Sequence, residues 1–375
     1  MSVTLWQDAL EIIAQESGLE PAEILETDDM EFARLGVDSI LATAILSHLR
    51  GPRGEALPQD IFNQKPTVGA LRRFYETSIH LTIAPTLTPA PTTKLDRKAT
   101  PVPLSILLQN DPVSSRHTVF LLPDGSGSAM AYANLTLIHP EVCVVGMNSP
   151  YLREAGSYRC SVEDLAAKWV LEIYRRQPQG PYSVGGWSAG GYYSYEVAKR
   201  LLQDGHAVDR LILIDSPSRN IFEPLSMEVV NYLSSRNLMG NWGSREVPQW
   251  LVEHFRFTLA AVGNYSPRPI DSAGGMETYI IWSRDGVLDQ DELAKCGLDL
   301  SVKVSRFVLQ GKDNLGPNGW EELVPSKKIA IGTQSGTHLT MMNDPHMSQM
   351  SHLLRDAVVG ITPGRQSHWQ RVIKA

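Results

Sequence analysis

Gly185-Gly186-Trp187-Ser188-Ala189-Gly190-Gly191 decides how this chain is read. Tyr182-Ser183-Val184 leads into it as a short β-prone run, and residues 192–202 leave it with helical character, so Ser188 stands on a strand-to-helix turn. A G-x-S-x-G turn of this kind needs small residues at Gly186 and Gly190, because the central residue takes a strained backbone and strand and helix approach closely. The turn holds the Ser188 hydroxyl in the open, with a helix N-terminus behind it that favours developing negative charge.

Outward from the turn, strand and helix alternate. Residues 118–122, 142–147, 182–186, 211–214, 278–282 and 305–309 read as largely buried parallel strands, with helices over 161–177 and 191–203 among the connections. This is the pattern of a doubly wound, mostly parallel α/β sheet. Residues 221 to about 275 interrupt it with Phe222, Tyr232, Trp242, Trp250, Phe255, Phe257 and Tyr265, and predict a helical lid. Those aromatics either shape a pocket or fill the lid's own core; Tyr192, Tyr193 and Tyr195 read as packing.

A serine hydroxyl needs an adjacent base, itself oriented by a carboxylate. The strand over 211–214 ends in Asp215, and His338 lies in a loop, Ser335-Gly336-Thr337-His338-Leu339-Thr340, ahead of the last helix. Ser188, Asp215 and His338 therefore stand in the order nucleophile, acid, base. Asp285, just after the strand over 278–282, competes for the acid's place. Asp344 reads as a helix cap, and His254 and His346 as structural. An oxyanion needs two fixed donors: the Ala189 N–H is one, and the loop Pro123-Asp124-Gly125-Ser126-Gly127-Ser128 offers Gly125 and Ser126 for the other. No lysine follows that loop at phosphate-loop spacing, which argues against a nucleotide site.

Length and charge divide the chain. At 375 residues it predicts two domains: 1–80, a small four-helix unit, and 116–375, joined by a linker over 81–115 rich in proline and threonine, whose residues 105–109 can already pair as the first strand of the larger domain. The net charge of -7 falls entirely in residues 1–80, which hold 13 acidic and 6 basic side chains. An acidic small domain beside a neutral large one fits docking on basic partners and argues against nucleic-acid binding. No apolar run is long enough for a bilayer and residues 1–10 lack signal-peptide character, so the expectation is a cytoplasmic chain without membrane contact. Cys143, Cys160 and Cys296 are an odd number without metal-type spacing, so free thiols and no bound metal are expected.

Two resemblances join these readings. Leu35-Gly36-Val37-Asp38-Ser39-Ile40 resembles the attachment site of acyl carrier proteins, and Pro66-Thr67-Val68 is similar to the start of their last helix, a likeness covering about residues 3–78. It implies that Ser39 carries 4'-phosphopantetheine, whose phosphate suits a helix N-terminus. Residues 105 to about 360 resemble the C-terminal thioesterase domain of fungal iterative non-reducing polyketide synthases, including the Claisen-cyclase type. The likeness rests on Leu122-Pro123-Asp124-Gly125-Ser126-Gly127-Ser128, Asn148-Ser149-Pro150, Gly186-Trp187-Ser188-Ala189-Gly190-Gly191 and Thr337-His338. It implies an α/β-hydrolase fold, and it favours Asp215 as the acid, because in that family the acid follows the strand after the elbow.

The function so implied is off-loading of a carrier-bound aromatic polyketide through Ser188. Release by an oxygen nucleophile would give an acid, an ester or depside, or a lactone; Claisen-type C–C closure is the alternative. Claisen cyclases often show Asn-His-Phe where this chain has Thr337-His338-Leu339, which counts against carbon attack. The implied partners are upstream ketosynthase, acyltransferase and product-template domains, a phosphopantetheinyl transferase and the polyketide acyl substrate. A non-catalytic carrier and interaction module, or a free-standing esterase, are the competing classes.

Overall fold

The computed structural model describes residues 2–17, 21–25, 28–32, 42, 45–46, 49, 57, 61–77, 103–152, 154–236, 238, 249–272, 274–312, 314–324, 329–360 and 369–372. Ser39, most of the expected linker and Trp242 lie outside them. Two units form, one within residues 2–77 and one from residue 103 onward.

In the first unit, Trp6, Leu10 and Ile13 recur at helical spacing on α1 (Ser2–Ser17) and are buried together. Against them pack Ile24 of α2 (Pro21–Leu25), Ile61 of α3 (Ile61–Gln64), Leu71 of α4 (Val68–Thr77) and the helical residues Ile45 and Leu46. The acidic stretch over 20–31 reads as a loop in sequence, yet it contains α2. Five residues are too few to display a helical period, but Pro21 suits a first helical position and Ile24 is wholly buried. Phe32 donates its N–H to the Pro66 carbonyl at 2.8 Å, tying the loop to the start of α4.

The second unit is built on one eight-stranded sheet, ordered β1-β3-β2-β4-β5-β6-β7-β8. Its strands are β1 (Ser105–Gln109), β2 (His117–Leu122), β3 (Val142–Met147), β4 (Tyr182–Trp187), β5 (Val208–Ile214), β6 (Glu277–Ser283), β7 (Ile329–Gln334) and β8 (Trp369–Val372). The six from β2 to β7 are parallel, and β1 and β8 pair antiparallel at the edges. Successive strand residues face opposite sides, so the apolar runs feed two cores. Phe120, Val145, Leu213 and Trp282 join one with α5 (Val162–Arg176) and α6 (Ala189–Gln203). Leu121, Val144, Ile212 and Ile281 join the other with α12 (Met347–Val359). Ser161 caps α5 and completes a capping box with Asp164.

The structure corrects one strand. Residues 305–309, expected as a strand, belong to helix α10 (Lys303–Leu309), and the sheet position beside β6 is filled by β7. Alternation over so few residues does not separate a strand from a buried helical turn. Here Val304, Phe307 and Val308 are buried at the three- and four-residue spacing of a helix. The remaining short helices are α9 (Gln290–Lys295) and α11 (Trp320–Leu323). Asp344 does not cap α12; His346 occupies its N-cap position.

Two features place the turn at Ser188. A Cβ on Gly186 would lie 2.4 Å from the Gly190 backbone, and one on Gly190 would lie 2.6 Å from the Leu122 carbonyl. Strand β4, helix α6 and the end of β2 therefore meet backbone to backbone. The second feature is the connection from β5 to β6, which carries α7 (Met227–Ser235) and α8 (Gln249–Gly263). From α8, His254 Nδ1 donates to the Gly125 carbonyl at 3.1 Å, and Phe255 packs against Gly125. His254 is buried, its Nε2 has no hydrogen-bond partner among the described residues, and burial lowers its pKa to about 4 from an ordinary 6.5.

Gly186→Ala is expected to destabilise the second unit by at least about 1–3 kcal/mol, because backbone has to yield; urea unfolding followed by tryptophan fluorescence measures this, and a loss below 0.5 kcal/mol, on the order of a surface substitution, would contradict the packing. For His254, the unfolded chain takes up its proton near 6.5 and the folded chain only near 4. Between those values the unfolded state binds more protons, so this contribution is complete above pH 6.5 and is lost as pH falls toward 4. From pH 7 to 4 the wild type should lose about 3 kcal/mol more stability than His254→Asn. Parallel losses would mean that the ring is protonated in the fold.

Candidate active site

Ser188 leaves the end of β4 with φ 57 and ψ -121, a conformation that side-chain-bearing residues adopt only when their surroundings enforce it. Its N–H is held by the Ile214 carbonyl at 2.9 Å, at the end of β5. One residue further along, Asp215 also has positive φ, at 47, and donates its N–H to Ile281 of β6 at 2.8 Å. Both side chains are thus turned out of the sheet at neighbouring strand ends. The loop after β7 brings His338 between them. His338 Nε2 lies 3.0 Å from Ser188 Oγ, and Nδ1 lies 2.9 Å from Asp215 Oδ2. With the Nδ1 proton facing the carboxylate, Nε2 is left to accept from the serine hydroxyl.

Asp215 is wholly buried. Oδ1 accepts the Ser283 N–H at 2.9 Å, while Oδ2 accepts the Ser283 hydroxyl at 2.8 Å and the Lys312 ammonium at 3.0 Å. Burial pushes its pKa up, but Lys312 and the His338 contact outweigh that and hold it at about 2. Asp285, the competing acid, takes another part: its Oδ2 accepts the Gly336 N–H at 2.7 Å and so pins the loop that carries His338. His346 bonds the Ser335 hydroxyl of the same loop.

The loop after β2 is divided in its roles. Gly125 and Ala189 line the cavity beside Ser188 and His338. Ser126 turns away from it: its N–H and hydroxyl both go to Asp124 Oδ1. Asp124 is buried, and desolvation raises its pKa to about 6 against the pull of Ser126 and His338. Tyr132 was not marked by any sequence motif. Its hydroxyl donates to the Leu122 carbonyl at 2.6 Å and accepts the Trp187 N–H at 2.8 Å, joining the ends of β2 and β4 on either side of the reactive turn.

The cavity at Ser188 is narrow, about 70 Å³, with walls from Tyr192, Leu225, Phe255, Leu259, Phe307 and Val308. Of the lid aromatics, Phe255 faces the cavity, whereas Phe222 packs edge-on to Phe307 and Tyr265 bonds Glu196 in the core. Tyr192, expected only to pack, is part of the wall; Tyr193 and Tyr195 are core. A larger cleft of about 440 Å³, among Glu163, Lys199 and Arg268, contains neither Ser188 nor His338. Among the described residues no group of His, Cys, Asp and Glu is arranged to hold a metal ion, and no helix is long and apolar enough to cross a membrane.

Residues 117–355 match the family model of the thioesterase domain, and residues 7–74 match that of the phosphopantetheine attachment site. The chain is 35% identical to the non-reducing polyketide synthase terA of Aspergillus terreus, over 94% of this chain and 18% of that protein. It is 31% identical to non-reducing polyketide synthase 1 of Elsinoe fawcettii, over 93% of this chain and 17% of that one. The chain therefore spans less than a fifth of the length of these relatives. A four-domain nonribosomal peptide synthetase, crystallised with AMP and glycine, superposes with a TM-score of 0.55 at 18% identity, over 93% of this chain and 26% of that one. At that identity the likeness speaks to the fold, an α/β-hydrolase. Matches of this extent make the chain a member of the thioesterase-domain family, with a phosphopantetheine attachment domain at residues 7–74, similar throughout to fungal non-reducing polyketide synthases.

Proposed function

We propose that the chain releases a polyketide acyl group from its own carrier domain by transfer to Ser188 and then to an oxygen nucleophile. The observation that carries this reading is the unbroken run of contacts from Ser188 Oγ through His338 to the buried Asp215, opening on an apolar cavity. Ser39 is the proposed attachment residue: it is a primary hydroxyl, the group a phosphodiester anchor requires, within the matched carrier domain. When bound, 4'-phosphopantetheine supplies the thioester linkage that activates the acyl carbonyl. Loading of Ser39 calls for a phosphopantetheinyl transferase, and chain assembly for ketosynthase, acyltransferase and product-template domains like those of a complete synthase.

The chain's own residues perform the transfer. His338 Nε2 takes the Ser188 proton as Oγ bonds the acyl carbon, and the carbonyl electrons move onto oxygen. The N–H groups of Gly125 and Ala189 are the proposed donors to that oxyanion; Ser126, committed to Asp124, shapes the loop instead. As the C–S bond breaks, the imidazolium returns its proton to the departing sulfur. In the second half, His338 accepts a proton from the incoming hydroxyl, which bonds the acyl carbon, and gives it to Ser188 Oγ as that ester bond breaks. Asp215 holds the ring and balances its charge in both halves. Apolar walls formed by Phe255, Phe307 and Tyr192 suit a planar conjugated acyl chain. The departure of Thr337-His338-Leu339 from the Asn-His-Phe often shown by Claisen cyclases supports release by oxygen attack, giving acid, ester or depside, or lactone, over C–C closure.

With an acyl-loaded carrier, Ser188→Ala should retain the acyl group on Ser39 and lose product release by about 10⁴-fold or more. Intact-mass spectrometry with product analysis reads both, and normal release by that variant would end the proposal. Asp215→Asn should lower turnover by about 10⁴-fold, whereas Asp285→Asn, which keeps an oxygen for Gly336, should stay within about tenfold. The reverse order would make Asp285 the acid.

A further inference from the structure

We propose that Lys312 is a positioning residue of this site, which fixes Asp215 as an anion and tempers the pull of that carboxylate on His338. The inference rests on the reading of Ser188 and His338 as nucleophile and base. Lys312 follows α10, and its N–H is held by the Arg284 carbonyl at 3.1 Å. Its side chain is only 2% exposed, with Nζ 4.3 Å from the centre of the Phe307 ring. Lysine is almost never buried so deeply without a partner, and an apolar side chain of similar volume would fill such a place at less desolvation cost. The charge therefore asks for a use beyond packing.

That use is written in which oxygen it contacts. Nζ lies 3.0 Å from Asp215 Oδ2, the same oxygen that faces His338 Nδ1 at 2.9 Å, and it also bonds the Ser283 hydroxyl. Donors from β6, the loop after α10 and the loop after β7 converge on one carboxylate and leave it no freedom to rotate. The electrostatic consequence is separate. When His338 takes up the serine proton, its new charge is attracted by Asp215 but repelled by an ammonium already seated on that oxygen. Without that ammonium, the attraction of Asp215 for the imidazolium would stand unopposed. Other charged groups near the relay are otherwise engaged. Asp124, after β2, bears on His338 but bonds Ser126. Asp285 bonds the Gly336 N–H, Arg284 the Thr333 hydroxyl and His346 the Ser335 hydroxyl. Because Phe307 and Val308 line the cavity, the lysine also ties one wall of the acyl site to the carboxylate.

The test measures, on the full chain, the pH dependence of Ser188 labelling by a fluorophosphonate, followed by intact mass. Lys312→Met and Lys312→Gln remove the charge; Lys312→Arg keeps it. The acid limb of the labelling rate should move up by about one pH unit in Met and Gln variants, a roughly tenfold slower reaction on the acid shoulder, with the midpoint of the Arg variant left in place. Superimposable midpoints in wild type and Lys312→Met, or an equal shift in Lys312→Arg, would overturn the inference. So would failure of both neutral variants to fold, since the lysine would then serve stability alone. A wild-type chain that is not labelled at Ser188 at any pH would instead remove the proposed function.

Discussion

A carboxylate sealed from water has to be surrounded by donors, and the second unit is arranged to meet that demand at Asp215. Four hydrogen bonds from Ser283, Lys312 and His338 reach its two oxygens. The three donor residues lie on different stretches of chain, so satisfying this one group fixes the end of β5 against β6, the loop after α10 and the loop after β7. An uncompensated charge there would cost several kcal/mol, about 3–5 by comparison with broken buried pairs. His338 is thus held by a requirement of stability, with its Nε2 3.0 Å from Ser188 Oγ.

The serine side of the site depends on a different constraint, steric and local. Glycine at 186 and 190 lets β4 and α6 approach closely enough that Ser188 is forced to positive φ, with its hydroxyl above the sheet. Tyr132 secures the arrangement by bonding the backbone on both sides of it. Such strain persists only where the surroundings over-determine it. Here they are two packed sheet faces and a hydroxyl clamp.

Helix α8 and the loop after β2 form a third layer of support with its own electrostatics. His254 is kept neutral by burial and donates to the Gly125 carbonyl, while burial of Asp124, in the same loop as Gly125, raises its pKa to about 6. Their pH responses oppose each other between about 4 and 6. Asp124 favours the folded state as pH falls through that range and His254 disfavours it, so the loop carries less net pH dependence than either group alone.

What could be read from sequence follows from how far each signal extends along the chain. Strands β2 to β6 were legible because each is a continuous apolar run between polar turns, and the reactive serine because its geometry is enforced by residues within three positions of it. β7 was missed and residues 305–309 misassigned because a buried helical turn and a short strand carry the same composition. The choice between Asp215 and Asp285 was open for the same reason: both follow a strand, and only the folded sheet shows that one turns toward His338 and the other toward Gly336. Lys312 left no trace at all, since its partner lies 97 residues away and nothing local distinguishes it from a surface lysine. Sequence alone carried strands β2 to β6, the turn at Ser188, and the motifs around His338 and Ser39, all of them short-range patterns. Tertiary structure decided which carboxylate meets His338, that Ser126 is bonded to Asp124, and which buried cation meets Asp215, because these are distances between segments that sequence order does not encode.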